Sequence, residues 1–197
     1  MATATKKDLM NAEEFFDWTC RPENIGRSFE LVDGEVVEMP PPSDLHGTVC
    51  GLFSRILGNF AFDRGRGRVT TNDSGLVVQR SPDTTRGVDV MFYDEVPAYD
   101  EISRKYAKEL PVLAVEVISP SDRWTEINKR ITQYLKKGIP IVWIVDPEAK
   151  SVAVYRPNLQ HELLTESDEI TGNGVLPDFR CRVADLFALA GAAKAQP

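Results

Sequence analysis

The sequence predicts a mixed α/β fold: a central mixed β-sheet flanked by helices and opened by an N-terminal β-hairpin. Three observations carry this. Asp33-Gly34 stands between two short β-prone arms, two long segments repeat apolar residues at helical spacing, and apolar runs of strand length lie between and after them.

Taken in order, Asn11 with Glu14 three residues on marks the start of a short helix, "NAEEFFDW". "SFELVDGEVVEMP" is the hairpin, because Asp-Gly tolerates the positive φ angles of a tight two-residue turn. After the breaker "PPPSD", Leu45, Val49, Leu52, Phe53, Ile56, Leu57 and Phe60 define one face of an amphipathic helix, which "DRGRGR" ends. The strand-like pieces "RVTT", "GLVVQ", "GVDVMFY" and "PVLAVEVI" follow. A second helix is expected from about Asp122 to Lys137, stopped by Gly138. "IPIVWIVD" and "SVAVYRP" pair across the turn "PEAK", and "GNGVLPDFRCRVADLF" lies in an irregular C-terminal section. The crossover from "LAVEVI" through the second helix to "IVWIV" is parallel and should be right-handed.

Composition narrows the function classes. At 197 residues the chain fits one domain, 1–189, with a small, weakly polar tail, 190–197, expected to be disordered. No apolar run approaches the length of a membrane span, and the N-terminal stretch lacks the apolar core of a signal peptide, which points to a cytoplasmic protein with no membrane partner. Cys20, Cys50 and Cys181 are widely spaced with no CxxC pair, so reduced thiols explain them better than disulfides or a zinc site. A net charge of −7 does not advertise a protein that coats nucleic acid, and leaves open a local basic patch inside an acidic molecule.

Two acids stand out. Glu116 sits in the apolar run "PVLAVEVI", and Asp89 is flanked by Val88 and Val90 in "GVDVMFY". An ionised carboxylate in such a run is costly unless a cation or several donors meet it. If the two strands pair, both acids converge, and a hard divalent cation such as Mg2+ favours that arrangement. For either acid the alternative is a strand-end residue facing solvent, or half of an ion pair with an Arg.

These residues carry a resemblance. The order helix, strand with Asp, strand with Glu, helix resembles the PD-(D/E)XK nuclease superfamily. More closely, the chain resembles the Uma-type putative restriction endonuclease family, long carried as a domain of unknown function. The matching segments are "FELVDGEVVEMPPP" with His46 after it, "VDVMFY", "VEVISPSDR", "QYLKKGIPIVWIVDPEAKSVAVYRP" and "VLPDFRCRVADLF", roughly residues 28–187. The resemblance implies a restriction-endonuclease-like sheet and a Mg2+- or Mn2+-dependent endonuclease acting on DNA. It implies Asp89 and Glu116 as metal ligands, with the backbone carbonyl of Val117 as a third. In that superfamily the metal holds the scissile phosphate, activates a water and neutralises developing charge.

Two departures matter. Val88 stands where the first motif has proline, and Ile118 where the second has lysine. In relatives of this type a lysine on the following helix, four residues before the tyrosine, is thought to substitute. Counting back from Tyr134 reaches Arg130, with Lys129 beside it. At about 100° per residue, Lys129 points away from the face defined by Trp124, Ile127, Ile131, Tyr134 and Leu135, while Arg130 lies on its flank. Arg130 is therefore the favoured catalytic cation and Lys129 the alternative. Arginine can hold a phosphate but is a poor proton acceptor.

His46 and Glu30 match recurrent polar positions of the family, which places them at the rim of the same cleft. His46 is either a general base or a helix-start residue bonded to local backbone. Glu30 is either an added metal ligand or the partner of an Arg. Arg64, Arg66 and Arg68 are the best local phosphate-contact cluster, with Arg80, Arg86 and Arg123 beside the candidate site and solvation as the alternative. "SDEITGNG" reads as a surface turn. The missing lysine and the acidic charge also motivate another reading, a catalytically inactive nuclease fold that binds nucleic acid or a protein partner. Many nucleases of this kind are homodimers, and Trp143 or Phe179 are candidate interface residues.

Overall fold

The computed structural model describes residues 9–158 and 160–191; of the expected tail, 192–197 lie outside them. The chain forms a mixed sheet between helices. Helix α1 (Ala12–Thr19) starts with the capping box, the Asn11 side chain accepting from Glu14 N–H at 2.8 Å while the Glu14 carboxylate accepts from Asn11 N–H at 3.0 Å. Strands β1 (Ser28–Val32) and β2 (Glu35–Met39) form the hairpin. Asp33 and Gly34 adopt φ of 51° and 82° at its turn, as a two-residue connection with this twist requires. Helix α2 (Asp44–Asp63) is capped by Ser43, whose hydroxyl accepts from His46 N–H.

"RVTT" and "GLVVQ" are not separate strands. They belong to one twelve-residue strand, β3 (Arg68–Gln79), antiparallel to β4 (Thr84–Tyr93). The register shifts between Thr71 and Ser74, where Asn72 and Asp73 take φ of 65° and 52°. Asn and Asp tolerate that left-handed region, so the strand continues through a bulge. Strand β5 (Leu113–Val117) is antiparallel to β4 and parallel to β6 (Ile141–Asp146). Between β5 and β6 runs α3 (Trp124–Lys137), which starts two residues later than its periodicity indicated and ends at Gly138, φ 104°. Strands β7 (Ser151–Tyr155) and β8 (His161–Leu164) complete the sheet, in the order β2-β1-β4-β5-β6-β7-β8 with β3 also on β4.

"SDEITGNG" is only partly a turn: β9 (Glu169–Thr171) pairs there with β10 (Arg180–Arg182), just before the short helix α4 (Val183–Leu186). No described helix is long and apolar enough to cross a membrane.

The sheet is covered on both faces. Val49, Phe53 and Leu57 of α2, with Phe179 and Leu186, pack on Val90, Val115 and Trp143. Ile127, Ile131 and Tyr134 of α3 pack on Met91, Ala114 and Val142. Trp143 and Phe179 are 0% and 4% exposed, so the reading of these residues as a dimer interface is corrected: they are core. Truncation of Trp143 to Ala should therefore cost about 3–5 kcal/mol. Urea denaturation measures this, and a loss below about 1 kcal/mol would contradict a core role.

Candidate active site

The site begins as an interruption in backbone pairing. Strand β3 occupies one edge of β4. On the other edge, β1 reaches β4 only at Thr85, and β5 meets it only at Val90–Phe92. Arg86, Gly87, Val88 and Asp89 face the opening between β1 and β5. Side-chain alternation also breaks here, because Val88 packs in the α3-side cluster and Val90 in the α2-side cluster. The result is a notch in the sheet that α2 and α3 reach from opposite faces, opening into a cleft of about 930 Å³.

Side chains satisfy the backbone groups in the notch. Glu30, on β1, accepts from Gly87 N–H at 3.0 Å, and Arg130 Nη1 lies 3.5 Å from the Gly87 carbonyl. Asp89 accepts from the Val117 N–H at 2.7 Å, an amide that the end of the β4–β5 pairing leaves available. Two of the paired groups are deeply buried: Glu30 and Arg86 are each 3% exposed and meet at 2.7 Å. Arg130 Nη1 is 2.9 Å from Glu30 and 3.6 Å from Glu116, so one guanidinium lies between two carboxylates. Glu30 thus pairs with both Arg86 and Arg130.

Asp89 and Glu116 are both buried, both line the cleft, and lie close enough for the Asp89 charge to disfavour ionisation of Glu116. Burial chiefly pushes the Glu116 carboxyl up to about 8; Arg130 opposes that rise, as does the Tyr134 hydroxyl, which donates to Glu116. His46 Nε2 is 3.2 Å from Asp89 Oδ2. This contact raises the ring to about 11, so His46 stands as the protonated partner of Asp89. It is not bonded to local backbone through its ring, and a base role needs that Asp89 oxygen to be engaged elsewhere. Lys129 turns outward to Asp33, 3.6 Å away, at the edge of the cleft.

The carboxylates fit a hard divalent cation: two oxygen donors, mutually repelling, held at the wall of an open cleft. Asp89 and Glu116 can supply its protein ligands, and the hydrogen bonds from Val117 and Tyr134 fix their orientation.

Asp73 lies outside the residues that the strand pattern and the resemblance single out. At the β3 bulge it lines the cleft, and burial of its carboxyl, followed by the Asp89 charge, raises its pKa, although the residue as a whole is open to solvent. Gly87 permits this approach, since a Cβ there would lie 3.0 Å from Asp73 Cβ. The signal was the Asn72-Asp73 pair between two β-prone pieces. The expected phosphate cluster is corrected: Arg64 and Arg66 both pair with Asp94, and Arg68 pairs with Glu109 and lies over Tyr93. None of the three lines the cleft. Arg80 instead ties Glu13 to Asp83, whereas Arg123 lines the cleft, exposed.

A family model described as "Uma2: Putative restriction endonuclease" matches residues 12–184. Among solved structures, the chain is similar to the crystal structure of "a putative nuclease belonging to DUF820" from Anabaena variabilis ATCC 29413. The identity is 20%, 90% of this chain and 97% of that chain are covered, and the TM-score is 0.71. No curated protein matches the sequence.

Two outcomes follow from the geometry. Glu30→Ala leaves Arg86 unpaired in the interior and should cost about 3–5 kcal/mol, with Glu30→Gln milder; denaturant titration reads both, and equal stability of wild type and alanine variant contradicts the buried network. For Glu116, the folded carboxyl titrates at about 8 and the unfolded one at 4.5. Between these values the folded state binds more protons, so metal-free protein loses stability as pH rises through that window. Glu116→Gln should flatten that slope; an unchanged slope in thermal melts would assign it to other groups.

Proposed function

From the premise that this chain belongs to the Uma2 family of putative restriction endonucleases, we propose that it is a Mg2+- or Mn2+-dependent endonuclease hydrolysing phosphodiester bonds in DNA. The observation that carries this reading is the pair Asp89 and Glu116, buried together at the wall of the cleft beside a cation that cannot lose its charge. The family supports nuclease-like function; the metal and the DNA substrate are our inference.

In this reading Asp89, Glu116 and the Val117 carbonyl hold the cation. When bound, it supplies Lewis acidity towards a phosphoryl oxygen and lowers the pKa of a water. Tyr134 keeps one Glu116 oxygen oriented by donating its hydroxyl hydrogen. Arg130 presents a permanent positive charge where negative charge grows on the phosphoryl oxygens, and Glu30 anchors it there. Arg130 does not accept the water's proton. His46 takes that role when its Asp89 partner is engaged elsewhere, and Asp73 is the other acceptor near Asp89. Arg123 and Lys129 meet the flanking phosphates at the cleft rim.

A second reading, an inactive nuclease fold that binds nucleic acid or a protein, is favoured by one observation. Ile118 occupies the lysine position, and the replacement cation, Arg130, is already held between Glu30 and Glu116.

Nicking of supercoiled plasmid with Mg2+ or Mn2+ decides between them. Asp89→Ala and Glu116→Ala should each lower the rate at least about 100-fold, and Arg130→Ala by about 100- to 1,000-fold, with Arg130→Lys retaining part of the activity. Equal cleavage by wild type and all variants assigns the nicking to a contaminant. Absence of nicking by wild type, together with DNA binding that ignores Asp89 and Glu116, selects the second reading.

A further inference from the structure

Beside the carboxylate pair lies a second group of ligand atoms, which shares Asp89 with it. His46 and Cys50 are four residues apart on α2 and so share a face, and that face meets Asp89 on β4. Cys50 Sγ is 3.6 Å from His46 Nδ1, and His46 Nε2 is 3.2 Å from Asp89 Oδ2. One ligand atom from each residue lies within 4.8 Å of the others, and no other such group of three occurs among the described residues.

We propose that His46, Cys50 and Asp89 form a second cation site, specific for a thiophilic divalent ion such as Zn2+, which competes with the hard cation for Asp89. One of the three ligand separations already matches what such an ion needs. Zinc bonds of about 2.3 Å to sulfur and about 2.0–2.1 Å to nitrogen, arranged tetrahedrally, put sulfur and nitrogen roughly 3.5 Å apart. The Cys50–His46 separation is already of that size, whereas Asp89 faces the other ring nitrogen, so closure on a single ion requires side-chain rotation. Seating the ion takes one ring nitrogen as a ligand, exchanging the imidazole–carboxylate contact for bonds to the metal.

The donor set decides the selectivity. A thiolate and an imidazole favour zinc, whereas magnesium seeks oxygen. Glu116 takes no part, because its partners, Arg130 and Tyr134, lie on the α3 side. Asp89 is therefore the one residue common to both sites. His46 and Asp89 line the cleft, which leaves the fourth zinc position to water. Zinc binding itself does not depend on the proposed nuclease function; only its consequence, eviction of the hard cation, rests on that reading.

Titration of the full chain with Co2+ tests the site, because a thiolate ligand gives a charge-transfer absorption in the near ultraviolet. Wild type should show the band with one ion per chain, reversed by Zn2+ and not produced by Mg2+ alone. Cys50→Ser should abolish the band, and His46→Gln should weaken Co2+ binding at least about tenfold. The Cys20→Ser/Cys181→Ser double variant and Glu116→Gln should keep it. Metal-free thermal melts establish that each variant is folded. No band in wild type, a band surviving Cys50→Ser, or a band lost with Glu116→Gln each overturns the proposal. A calorimetric titration with Mn2+ then reads the competition: zinc-loaded protein should bind Mn2+ at least about tenfold more weakly than metal-free protein, and equal affinity refutes shared use of Asp89. If metal-free protein binds no Mn2+, the proposed function and the competition fall together, while the cobalt band still decides the thiolate site.

Discussion

Everything at the candidate site depends on the stretch of β4 edge that neither β1 nor β5 covers. A strand edge inside a protein exposes backbone groups that need partners, and an unmade hydrogen bond there costs about 1–3 kcal/mol. Glu30 takes the Gly87 amide, Arg130 approaches the Gly87 carbonyl, and Asp89 takes the amide of Val117 on the facing strand. The ladder is replaced by side chains, and those side chains are the charged groups of the cleft. A closed ladder would have left no opening through which α2 and α3 could reach the same strand from opposite faces.

Charge in this notch is sustained by pairing. Glu30 lies between two guanidiniums, Arg130 between two carboxylates, and Asp89 between an imidazole and an amide. The interior tolerates so many ionisable groups because most have an opposite charge within contact distance. Glu116 is the exception in degree: its closest hydrogen bond comes from a neutral hydroxyl, Arg130 stands 3.6 Å off, and burial dominates its ionisation. The group least well compensated by the protein is the one for which a further cation has most to offer.

Local signals made much of the architecture legible. The Asn11 cap, the Asp33-Gly34 turn and Gly138 each act within a few residues, so sequence placed them directly. The Asn72-Asp73 bulge was not legible, because two β-prone pieces separated by turn residues read equally as two strands or as one interrupted strand. The arginines of "DRGRGR" show a different limit. Their spacing is local, but Asp94 and Glu109, which bind them, are brought near by tertiary structure. Trp143 and Phe179 were misplaced for a related reason: an aromatic side chain serves a core or an interface equally, and only the cover supplied by α2 and the C-terminal segment makes them core. Alternation put Glu116 and its neighbours on opposite faces, yet could not reveal that α3 would bring Tyr134 to it.

The choice of arginine at position 130 follows from the same geometry. A lysine ammonium is a compact, strongly hydrated charge on a flexible stem, suited to one partner and able to give up its proton when buried. Here the cation must face Glu30 on β1, Glu116 on β5 and the Gly87 carbonyl on β4, three groups on three strands. A guanidinium retains its charge, and its Nη1 alone lies 2.9 to 3.6 Å from all three groups. The same properties withdraw it from proton transfer. An arginine here therefore leaves the α3 side of the notch to fixed charge, whereas the α2 side brings an imidazole, His46, to Asp89. The two faces of the sheet thereby carry different chemistry into a single opening.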